Sequence, residues 1–481
     1  MTPNPPNTRR PPPLAATAII GLGTLVSLGM SVIANKVYAL TLGPSGVGVI
    51  ALLLSAITVG ALAAGLGLGT SVVQLVSAAL ASGDARRSGV MEQVARRLTL
   101  GVATVLALIV VLFREEVATW VFGTPSASPY VLFVGPAIVL TALAYLETGI
   151  LTGHQRIRTI ALANVFAAVI GMVVGVAAVM TLGLPGFAPA ILVSAAAHFL
   201  FVRRRTHAFA RASHATQIEG REAATRLIRL GAPACVSQLA AVGAQLVISV
   251  VILHALGEHE VGLYRAASMI SIAYLTLFLS TLSYEFLPRI ARLRPDELGA
   301  AVDRHMRLLL GIGLPLILAL FALGPYVLEL LFSEAFVPAM SVLQWQLVGD
   351  LLRLPAWALA FALIARSRGG MFLGLEALTG AALMVAVPLG VHFAGIEGVG
   401  MGYAVAQAVY LVVAWAITSR LGVTSPGRLQ AVVVVIAVIA STSIILGIPL
   451  LIRGVLFGAL AIILAVLASS RLYALHRAGE L

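Results

Sequence analysis

The segment "LTLGPSGVGVIAL" (residues 40–52) joins two long apolar runs, and a related segment, "HALGEHEVGLYRA" (254–266), follows at an offset of 214 residues. A second pair keeps almost the same offset, since "WVFGTPSASPYVLFV" (120–134) matches "LLFSEAFVPAMSVLQW" (330–345). Matches at one offset indicate that a structural unit has been duplicated along the chain. We therefore predict two copies of one architecture, built from the apolar runs around these segments.

Lipid is the solvent that suits this composition. The chain is 60% hydrophobic and 10% charged, whereas a soluble domain carries about 25% charged residues. The apolar runs do not alternate as barrel strands do, and a helix satisfies its own backbone groups in lipid. We predict an all-α polytopic membrane protein with fourteen spans, at residues 14–39, 46–68, 94–113, 129–151, 157–181, 184–202, 230–254, 264–284, 305–328, 338–363, 370–392, 398–419, 428–447 and 449–470.

Positive charge sets the predicted orientation. With the N-terminus inside, 26 of the 31 Lys and Arg residues fall in even-numbered connections, at the span ends that border them, or in the two tails. The odd-numbered connections are short and neutral or acidic, such as "GPSG" and "GEHE". This is the bias of the positive-inside rule, so both termini are expected in the cytoplasm. The same bias explains the high pI near 10.6 without nucleic acid as a partner.

The duplication predicts how the chain is divided. Helices 1–6 and 7–12 form two six-helix lobes, and the last two helices are an addition. Like-oriented repeats are a design of membrane transporters, which bind substrate between the repeats. The expected parts are a cytoplasmic tail at 1–13, a first lobe at 14–205, a cytoplasmic linker at 206–229, a second lobe at 230–420, and two extra helices with a tail at 421–481.

Three stretches resemble the Wzx-type polysaccharide flippases of the multidrug/oligosaccharidyl-lipid/polysaccharide exporter (MOP) superfamily. The first is "LGPSGVGVIALLLSAITVGALAAGLGLGTSVVQLVSA" (42–78). More specific are "VGLYRAASMISIAYLTLFLSTLSYEFLPRIARL" (261–293) and "LLFSEAFVPAMSVLQWQLVGDLLRLPAWALAFALIARS" (330–367), which are similar to the translocases of O-antigen and enterobacterial common antigen. The most characteristic string is "WQLVGD", with Arg353 three residues further on. The resemblance spans roughly residues 15–420.

The resemblance implies a fold and an activity. The fold is two six-helix bundles around a V-shaped central cavity. The activity moves an undecaprenyl-diphosphate-linked oligosaccharide from the cytoplasmic to the outer leaflet of the bacterial inner membrane by alternating access. The expected protein is a monomer without a cofactor, in contact with membrane lipid and with a polymerase or ligase of the same pathway. An ion gradient is the expected drive, because the chain lacks a "GxxxxGK[ST]" loop for ATP.

The chemistry of such a cargo selects basic candidates. A single charge at mid-bilayer costs about 2.5–3.5 kcal/mol, so the diphosphate needs a wet passage with cationic partners. Five basic residues depart from the positive-inside pattern: Lys36, Arg114, Arg265, Arg353 and Arg453.

Lys36, beside Asn35, lies near the outer end of helix 1. We expect this pair to contact the diphosphate, with snorkelling of Lys36 to the headgroups as the alternative. Arg265, at the outer start of helix 8, is a further binding candidate, with a surface anchor as its alternative.

Helix 10 carries the densest set of candidates. Asp350 and Arg353 lie three residues apart and share one face. We expect Arg353 to face the cargo and Asp350 to orient it or to carry a coupling ion, whereas the alternative is a buried pair that neutralises itself. Gln344, Trp345 and Gln346 lie nearer the outer end of this helix and are expected to contact sugar. Packing explains Trp345 equally well.

Two more intramembrane carboxylates suit ion coupling. Glu147 lies inside helix 4, and the alternative for it is pairing with Arg156 or Arg158. Glu285 lies inside helix 8. Glu376 in helix 11 fits the pattern of the resembled family without a defined role.

Glycines end helix 2 in "AGLGLGTS" (64–71). Gly65, Gly67 and Gly69 predict a flexible bend at a lateral portal for the lipid, and close helix packing is the alternative. The stretch after them predicts an amphipathic helix along the cytoplasmic surface.

Two other functions remain open. A cation-coupled multidrug exporter would keep the fold but favour an anionic cavity, and a membrane glycosyltransferase or ligase would need acid–base groups on a large outer loop. The predicted outer loops are short, which disfavours an enzyme. The single cysteine, Cys235, excludes an internal disulfide, and the separate positions of His198, His254 and His392 predict no metal site.

Overall fold

The structure, a computed structural model, describes residues 13–209, 217–272, 275, 297–366, 368–422 and 428–477. All regular structure in these ranges is helical. The α-helices are α1 (Pro13–Gly65), α2 (Leu68–Ala81), α3 (Ala85–Leu112), α4 (Arg114–Phe122), α5 (Ser128–Gly153), α6 (Ile157–Leu182), α7 (Leu184–Thr206), α8 (Gln217–Leu256), α9 (258–272), α10 (Leu298–Leu331), α11 (Met340–Ala365), α12 (Gly369–Arg420), α13 (Arg428–Ile445) and α14 (Leu450–Arg477).

Nine helices within these ranges are long and apolar enough to cross a membrane. Two of the nine contain two predicted spans each, because α1 is kinked at Gly43 and α12 at Ala394 and Gly395. The apolar parts of α13 and α14 are shorter, at Val433–Ile445 and Leu451–Leu464. An all-α, multi-pass membrane protein is thereby confirmed, whereas the count of fourteen spans and the side of the termini stay predictions.

The predicted duplication is visible in the connections. The kink at Gly43 (φ 65°) has its counterpart at Gly257 (φ 100°), which separates α8 from α9 at the offset of the sequence repeat. Both glycines adopt positive φ, a conformation that other residues reach only with strain. A short 3₁₀ turn containing proline precedes both α5 and α11, at Pro125–Ala127 and Glu334–Ala339. The two copies therefore share their turn chemistry as well as their helices.

The chain forms two compact units. The first comprises Met1–Leu42 and Ile50–Leu246, and the second comprises Gly43–Val49 and Val247–Leu481. The division falls within α8, not within the predicted linker at 206–229, whose last part is helical from Gln217. The predicted lobe boundaries stay predictions.

The first turns of α8 pack into the first unit. Ala223 and Leu227 are buried in an apolar cluster with residues of α2, α3 and α5, among them Leu68, Val72 and Ile150. Burial of these side chains, at about 25 cal/mol per Å² of apolar surface, fixes α8 beside α2. Part of the segment predicted to link two lobes is thus a component of the first unit.

In the second unit, the two copies of the repeated turn contact each other. A Cβ added at Gly48 would lie 2.4 Å from the carbonyl oxygen of Glu258, and one added at Gly262 would lie 1.9 Å from that of Pro44. The contact is reciprocal, because these residues are equivalent in the repeat. Glycine is required at both positions for the two backbones to approach this closely.

Helix α11 is the most completely buried of the nine candidate spans. It lies against α9, α10, α12 and α13 and contacts α14 through a side chain, so its polar groups find their partners on these helices. Helix α14 packs on α10, where the rings of Phe457 and Phe321 meet at a tilt with centroids 5.1 Å apart and Gly454 and Gly458 face Ala322. The extra C-terminal helices are therefore part of the second unit, where α13 contacts α11 and α14 contacts α10.

Candidate functional site

A row of polar residues on α11 forms the candidate site of the second unit. Every second to fourth residue from Gln344 to Arg353 is polar, in a helix whose other residues are mostly apolar. Together these polar residues bond three neighbouring helices, α9, α12 and α14. Polar groups are expensive in a membrane interior unless they are paired or face water, so this concentration makes the row the candidate site of the second unit.

Asp350 is at the centre of this row and is fully buried. Its carboxylate accepts a hydrogen bond from Ser271 Oγ of α9 at 2.7 Å and one from the Tyr403 hydroxyl of α12 at 2.7 Å. Bonds from hydroxyls to a carboxylate in a low-dielectric interior are strong and fix its geometry. Asp350 therefore fastens three helices together at one point.

Arg353 is linked to Asp350 through Tyr403. Arg353 Nη1 donates to the Tyr403 hydroxyl at 3.3 Å, and the same hydroxyl donates to Asp350. The sequence predicts pairing across one helical turn; the structure adds a tyrosine from α12 between the two charges. Arg353 lies 13 residues from the start of α11, about 20 Å along the helix axis, and is half-buried. The helix thus presents a guanidinium near its middle.

Room for the Tyr403 ring comes from Gly349. A Cβ at this position would lie 2.5 Å from Tyr403 Cδ1 and 2.6 Å from Cε1. The glycine in the string "WQLVGD" therefore lets the aromatic ring cross α11 and reach Asp350. In the sequence this string indicates only a family resemblance, and Tyr403 is not predictable from it, because a tyrosine some fifty residues away carries no local signal of the contact.

The three outward candidates on α11 have different environments. Gln346 donates from Nε2 to Ser268 Oγ at 3.0 Å, while its buried Oε1 has no partner among the described residues. Gln344 accepts from Arg453 Nη1 of α14 at 2.9 Å. Trp345 is 7% exposed, and its Cβ packs against Gly400 of α12. The packing explanation fits Trp345, whereas the two glutamines form a polar seam with α9 and α14.

Glu376, on the first arm of α12, is a second carboxylate of this unit that bonds a tyrosine. It is exposed, and its Oε1 accepts from the Tyr410 hydroxyl at 2.8 Å. Tyr410 itself is 2% exposed and lies two turns after Tyr403 on the same arm of α12. Two tyrosines on one arm of α12 thus each bond a carboxylate, Tyr403 that of Asp350 and Tyr410 that of Glu376.

The other predicted binding residues are on α9 and α1. Arg265 is half-buried on α9, next to the buried Tyr264. Asn35 and Lys36 are half-buried on α1 in the first unit. Their roles in cargo binding stay predictions, and Glu285 lies outside the described residues.

Glu147 in the first unit is held by a charge network, but its partners are not the two arginines that the alternative interpretation names. Arg96 donates to it from Nε at 2.8 Å and from Nη2 at 3.0 Å. Arg203 Nη1 and Thr206 Oγ1 complete its surroundings at 3.2 and 2.7 Å. The alternative of pairing with Arg156 or Arg158 is therefore wrong, because α3 and α7 bring other basic residues to this carboxylate.

The network continues to a second buried glutamate. Glu92, one turn before Arg96 on α3, accepts from Ser88 Oγ at 3.2 Å and bonds His154 Nε2 at 2.8 Å. The His154 ring stacks on Phe209 at 4.1 Å. This network ties α3, α5 and α7 together. Its one signal in the sequence is the i,i+4 spacing of Glu92 and Arg96, which favours an ion pair on one helix face. Four donors on Glu147 suit a structural role better than ion coupling.

The predicted bend after helix 2 is present at Leu66 and Gly67. Helix α1 ends at Gly65, both of the next residues have positive φ (48° and 69°), and α2 starts at Leu68. A Cβ at Gly67 would lie 2.0 Å from the carbonyl oxygen of Gly231 on α8. The bend is therefore fastened by a backbone contact. A portal role for Gly65, Gly67 and Gly69 stays a prediction.

Known proteins share this fold along most of the chain. A lipid III flippase of Escherichia coli (strain K12) is 24% identical over 400 residues, which cover 80% of this chain and 93% of that protein. The structure of the lipid II flippase MurJ in an inward closed conformation covers 95% of this chain and 99% of its own, with a TM-score of 0.73 at 13% identity. An inward-facing multidrug resistance MATE family transporter of the MOP superfamily covers 85% and 98%, with a TM-score of 0.68 at 16% identity.

These likenesses confirm the superfamily fold that the sequence resemblance implies. At such identities the solved structures establish architecture alone. The sequence pattern of one family extends over residues 23–341, from α1 into the start of α11, and so covers more than half of the chain. This chain belongs to the polysaccharide biosynthesis protein family.

Proposed function

We propose that this protein is a flippase that moves an undecaprenyl-diphosphate-linked oligosaccharide from the cytoplasmic to the outer leaflet of the bacterial inner membrane. The observation that carries the proposal is the half-buried Arg353 near the middle of α11, held by Tyr403. A guanidinium there offers paired donors to phosphate oxygens. The lipid III flippase, similar over four-fifths of the chain, supports the same activity.

The physical task is to shield the polar part of the cargo. The isoprenoid tail stays in lipid, whereas the diphosphate and sugars need water and hydrogen-bond partners across the hydrocarbon. Arg353 supplies counter-charge, and the seam of Gln344 and Gln346 supplies amide groups of the kind that bind sugar hydroxyls. The process is alternating access without covalent chemistry, driven by an ion gradient. The protein acts as a monomer and passes cargo to a polymerase or ligase.

The proposal is tested with purified protein in liposomes. The probe is undecaprenyl diphosphate linked to one N-acetylglucosamine that carries a fluorescent dye, and dithionite bleaches only dye in the outer leaflet. The expected result is bleaching beyond the outer-leaflet fraction, at a rate that Arg353→Gln lowers at least tenfold. Arg368→Gln, at an exposed position just before α12, is the matched control.

Two results would overturn the proposal. One is bleaching no greater than in protein-free liposomes, given protein that is folded and inserted and an ion gradient imposed across the membrane. The other is equal movement of a dye-labelled phosphatidylcholine, which would indicate unspecific scrambling. Transport of a cationic dye instead of the lipid probe would favour a multidrug exporter, the activity named for the MATE relative of this fold.

A further inference from the structure

Arg453 is one of the basic residues that depart from the positive-inside pattern, and the proposed function leaves it without a role. It lies on α14, three residues from the start of the helix, and is half-buried. An arginine that only anchors a helix turns towards the lipid headgroups. Arg453 instead donates from Nη1 to Gln344 of α11, a residue that is 5% exposed. Its guanidinium is therefore directed towards the helices of the second unit.

The packing of α14 on α10 positions this guanidinium. Gly454 and Gly458, which follow Arg453, face Ala322 of α10. Small residues of this kind let two membrane helices approach closely. From this position the long Arg453 side chain reaches α11 at the level of its fifth residue, Gln344. The contact with α11 is thus made by a charged side chain that extends from a neighbouring, appended helix.

The contact between Arg453 and Gln344 leaves hydrogen-bond donors without acceptors. A guanidinium only donates, so the bonded atom of Gln344 is its oxygen, and the amide nitrogen carries two further donors. Within the part of the chain that the structure describes, no acceptor bonds this amide nitrogen, and Arg453 Nε is buried without a partner. The two side chains together therefore present donors to a ligand and no free acceptor from the bonded amide oxygen.

The charge of Arg453 has no ion-pair partner among the described residues. Glu397, just after the kink of α12, is the carboxylate whose charge reaches it, and no hydrogen bond joins these two side chains. A cation in a membrane span is costly unless it meets water or an anion. A positive charge surrounded by donors suits a phosphate group, whose charged oxygens accept hydrogen bonds.

The place of this pair along α11 suits the path of the cargo. Gln344 precedes Arg353 by nine residues, about 14 Å along the helix axis. The Gln344 end of the row is the predicted outer end. With Arg353 alone, a diphosphate that moves outward would lose its counter-charge over this distance. A second guanidinium at Gln344 supplies counter-charge where the cargo approaches the outer leaflet.

We propose that Arg453 and Gln344 form a second phosphate-binding subsite, which receives the diphosphate of the cargo after Arg353 and before release. The inference rests on the proposed flippase activity. It gives α14, which lies beyond the repeat, a direct part in binding the substrate. Phosphate reaches such a subsite from two sources, the cargo and the anionic phospholipids of the outer leaflet, and the contact with the α11 row favours the cargo.

Equilibrium binding to purified protein in nanodiscs tests this subsite without requiring transport. The two probes are dye-labelled N-acetylglucosamine linked to undecaprenyl diphosphate and to undecaprenyl monophosphate, and the ratio of their Kd values is compared. Removing Arg353 first isolates the contribution of Arg453. We expect Arg353→Gln to keep a preference of about tenfold for the diphosphate probe, as a charge-assisted hydrogen bond supplies. The double variant, with Arg353→Gln and Arg453→Gln, should bind both probes alike.

A structural tie between α14 and α11 is the competing role of Arg453, and Gln344→Glu separates the two roles. A carboxylate accepts from Arg453 more strongly than an amide does, so the tie is kept while the guanidinium charge is cancelled. Combined with Arg353→Gln, this substitution should abolish the diphosphate preference in a stable protein, and it serves if Arg453→Gln fails to fold. Arg420→Gln, at the exposed end of α12, is the matched control and should leave the preference unchanged.

Lipid composition distinguishes the two sources of phosphate. The measurements are made in nanodiscs of phosphatidylcholine, with and without added phosphatidylglycerol. A preference of Arg353→Gln that persists with phosphatidylglycerol and is lost in the double variant supports a cargo subsite. A preference that phosphatidylglycerol removes assigns the subsite to bulk anionic lipid and overturns the inference.

Two other outcomes also overturn the subsite, and neither depends on transport. One is a diphosphate preference that is already absent in Arg353→Gln. The other is a preference that survives the double variant or Gln344→Glu. The proposed function is decided separately by the liposome experiment, because absence of flipping by wild-type protein sinks the flippase proposal whatever the binding ratios are.

Discussion

Tyr403 donates its hydroxyl hydrogen to Asp350 at 2.7 Å, and the same oxygen accepts from Arg353 at 3.3 Å. One side chain of α12 thereby sets the position of both charges on α11. A carboxylate and a guanidinium in direct contact tend to satisfy each other and leave little charge for a ligand. With the hydroxyl between them, the guanidinium keeps capacity for an anion.

Tyr403→Phe tests this arrangement. The substitution keeps the ring but removes two hydrogen bonds to charged groups, each contributing about 1.5–3 kcal/mol. We expect the flipping rate of the dye-labelled lipid to fall at least tenfold. The midpoint temperature of thermal unfolding should fall by a few degrees. Tyr326→Phe, which alters a tyrosine 67% exposed on α10, is the control and should behave as wild type. Wild-type flipping by Tyr403→Phe would show that Arg353 needs no help from the tyrosine.

Gly349→Ala tests the same contact from the side of α11. The new Cβ would lie 2.5 Å from the Tyr403 ring, so the ring or the helix must move. Overpacking of this kind costs about 1–3 kcal/mol. We expect both lower thermal stability and slower flipping, whereas Gly380→Ala, where the added methyl meets no atom within 4 Å, should change neither. Unchanged flipping in the first variant would contradict a positioning role of the ring.

The buried network of the first unit predicts a loss of stability, not of coupling. Glu147→Gln leaves Arg96 and Arg203 facing each other without the carboxylate that both contact. Removing one member of a buried ion pair costs about 3–5 kcal/mol, so the unfolding midpoint in detergent should drop markedly. In a double-mutant cycle, Arg96→Met should recover part of the loss in the Glu147→Gln background.

The exposed pair of Arg86 and Glu219 provides the control for that experiment. Their side chains are 63% and 40% exposed, and such surface pairs contribute at most about 1 kcal/mol. Glu219→Gln should therefore leave the midpoint almost unchanged. A stable Glu147→Gln variant whose flipping no longer responds to an ion gradient would instead restore the ion-coupling hypothesis for Glu147.

Sequence alone could predict much of this fold and part of the site. Hydropathy located the spans because lipid imposes a length and an apolar composition on each helix, and the repeat located the turns at Gly43 and Gly257. Asp350 and Arg353 were found because charges in spans are rare enough to stand out. Tyr403, Tyr410 and Ser271 were missed, because hydroxyl-bearing residues are common in spans and acquire meaning only from the helix opposite.

The partners of Glu147 also could not be predicted from the sequence. Sequence proximity favoured Arg156 and Arg158, which follow on the next helix. The structure instead brings Arg96 from α3 and Arg203 from the end of α7, both of which the sequence analysis used only to orient the chain. Basic residues at the ends of helices follow the positive-inside rule whether or not they pair, so their count conceals the few that are buried against a carboxylate.

The bend between α1 and α2 yields the last prediction. Gly67 has φ 69°, and an added Cβ would lie 2.0 Å from the Gly231 carbonyl oxygen; a Cβ at Gly231 would lie 2.8 Å from the Gly67 carbonyl oxygen. Gly67→Ala and Gly231→Ala should each push α8 away from the bend and lower the unfolding midpoint by several degrees. The first should be the more severe, because backbone strain at positive φ adds to the clash.

Cys235 gives this prediction a direct readout. It is the single cysteine of the chain, it is 7% exposed, and its Sγ donates to the Leu62 carbonyl oxygen one turn before the bend. A thiol-reactive dye should therefore label native wild type slowly and both variants faster, because α8 no longer seals this sulfur against α1. Gly101→Ala on α3, where a methyl meets no atom within 4 Å, should label like wild type. Equal labelling of all four proteins would mean that the bend moves freely on α8, as a flexible portal requires, and that the close contact of the two glycines does not fasten it.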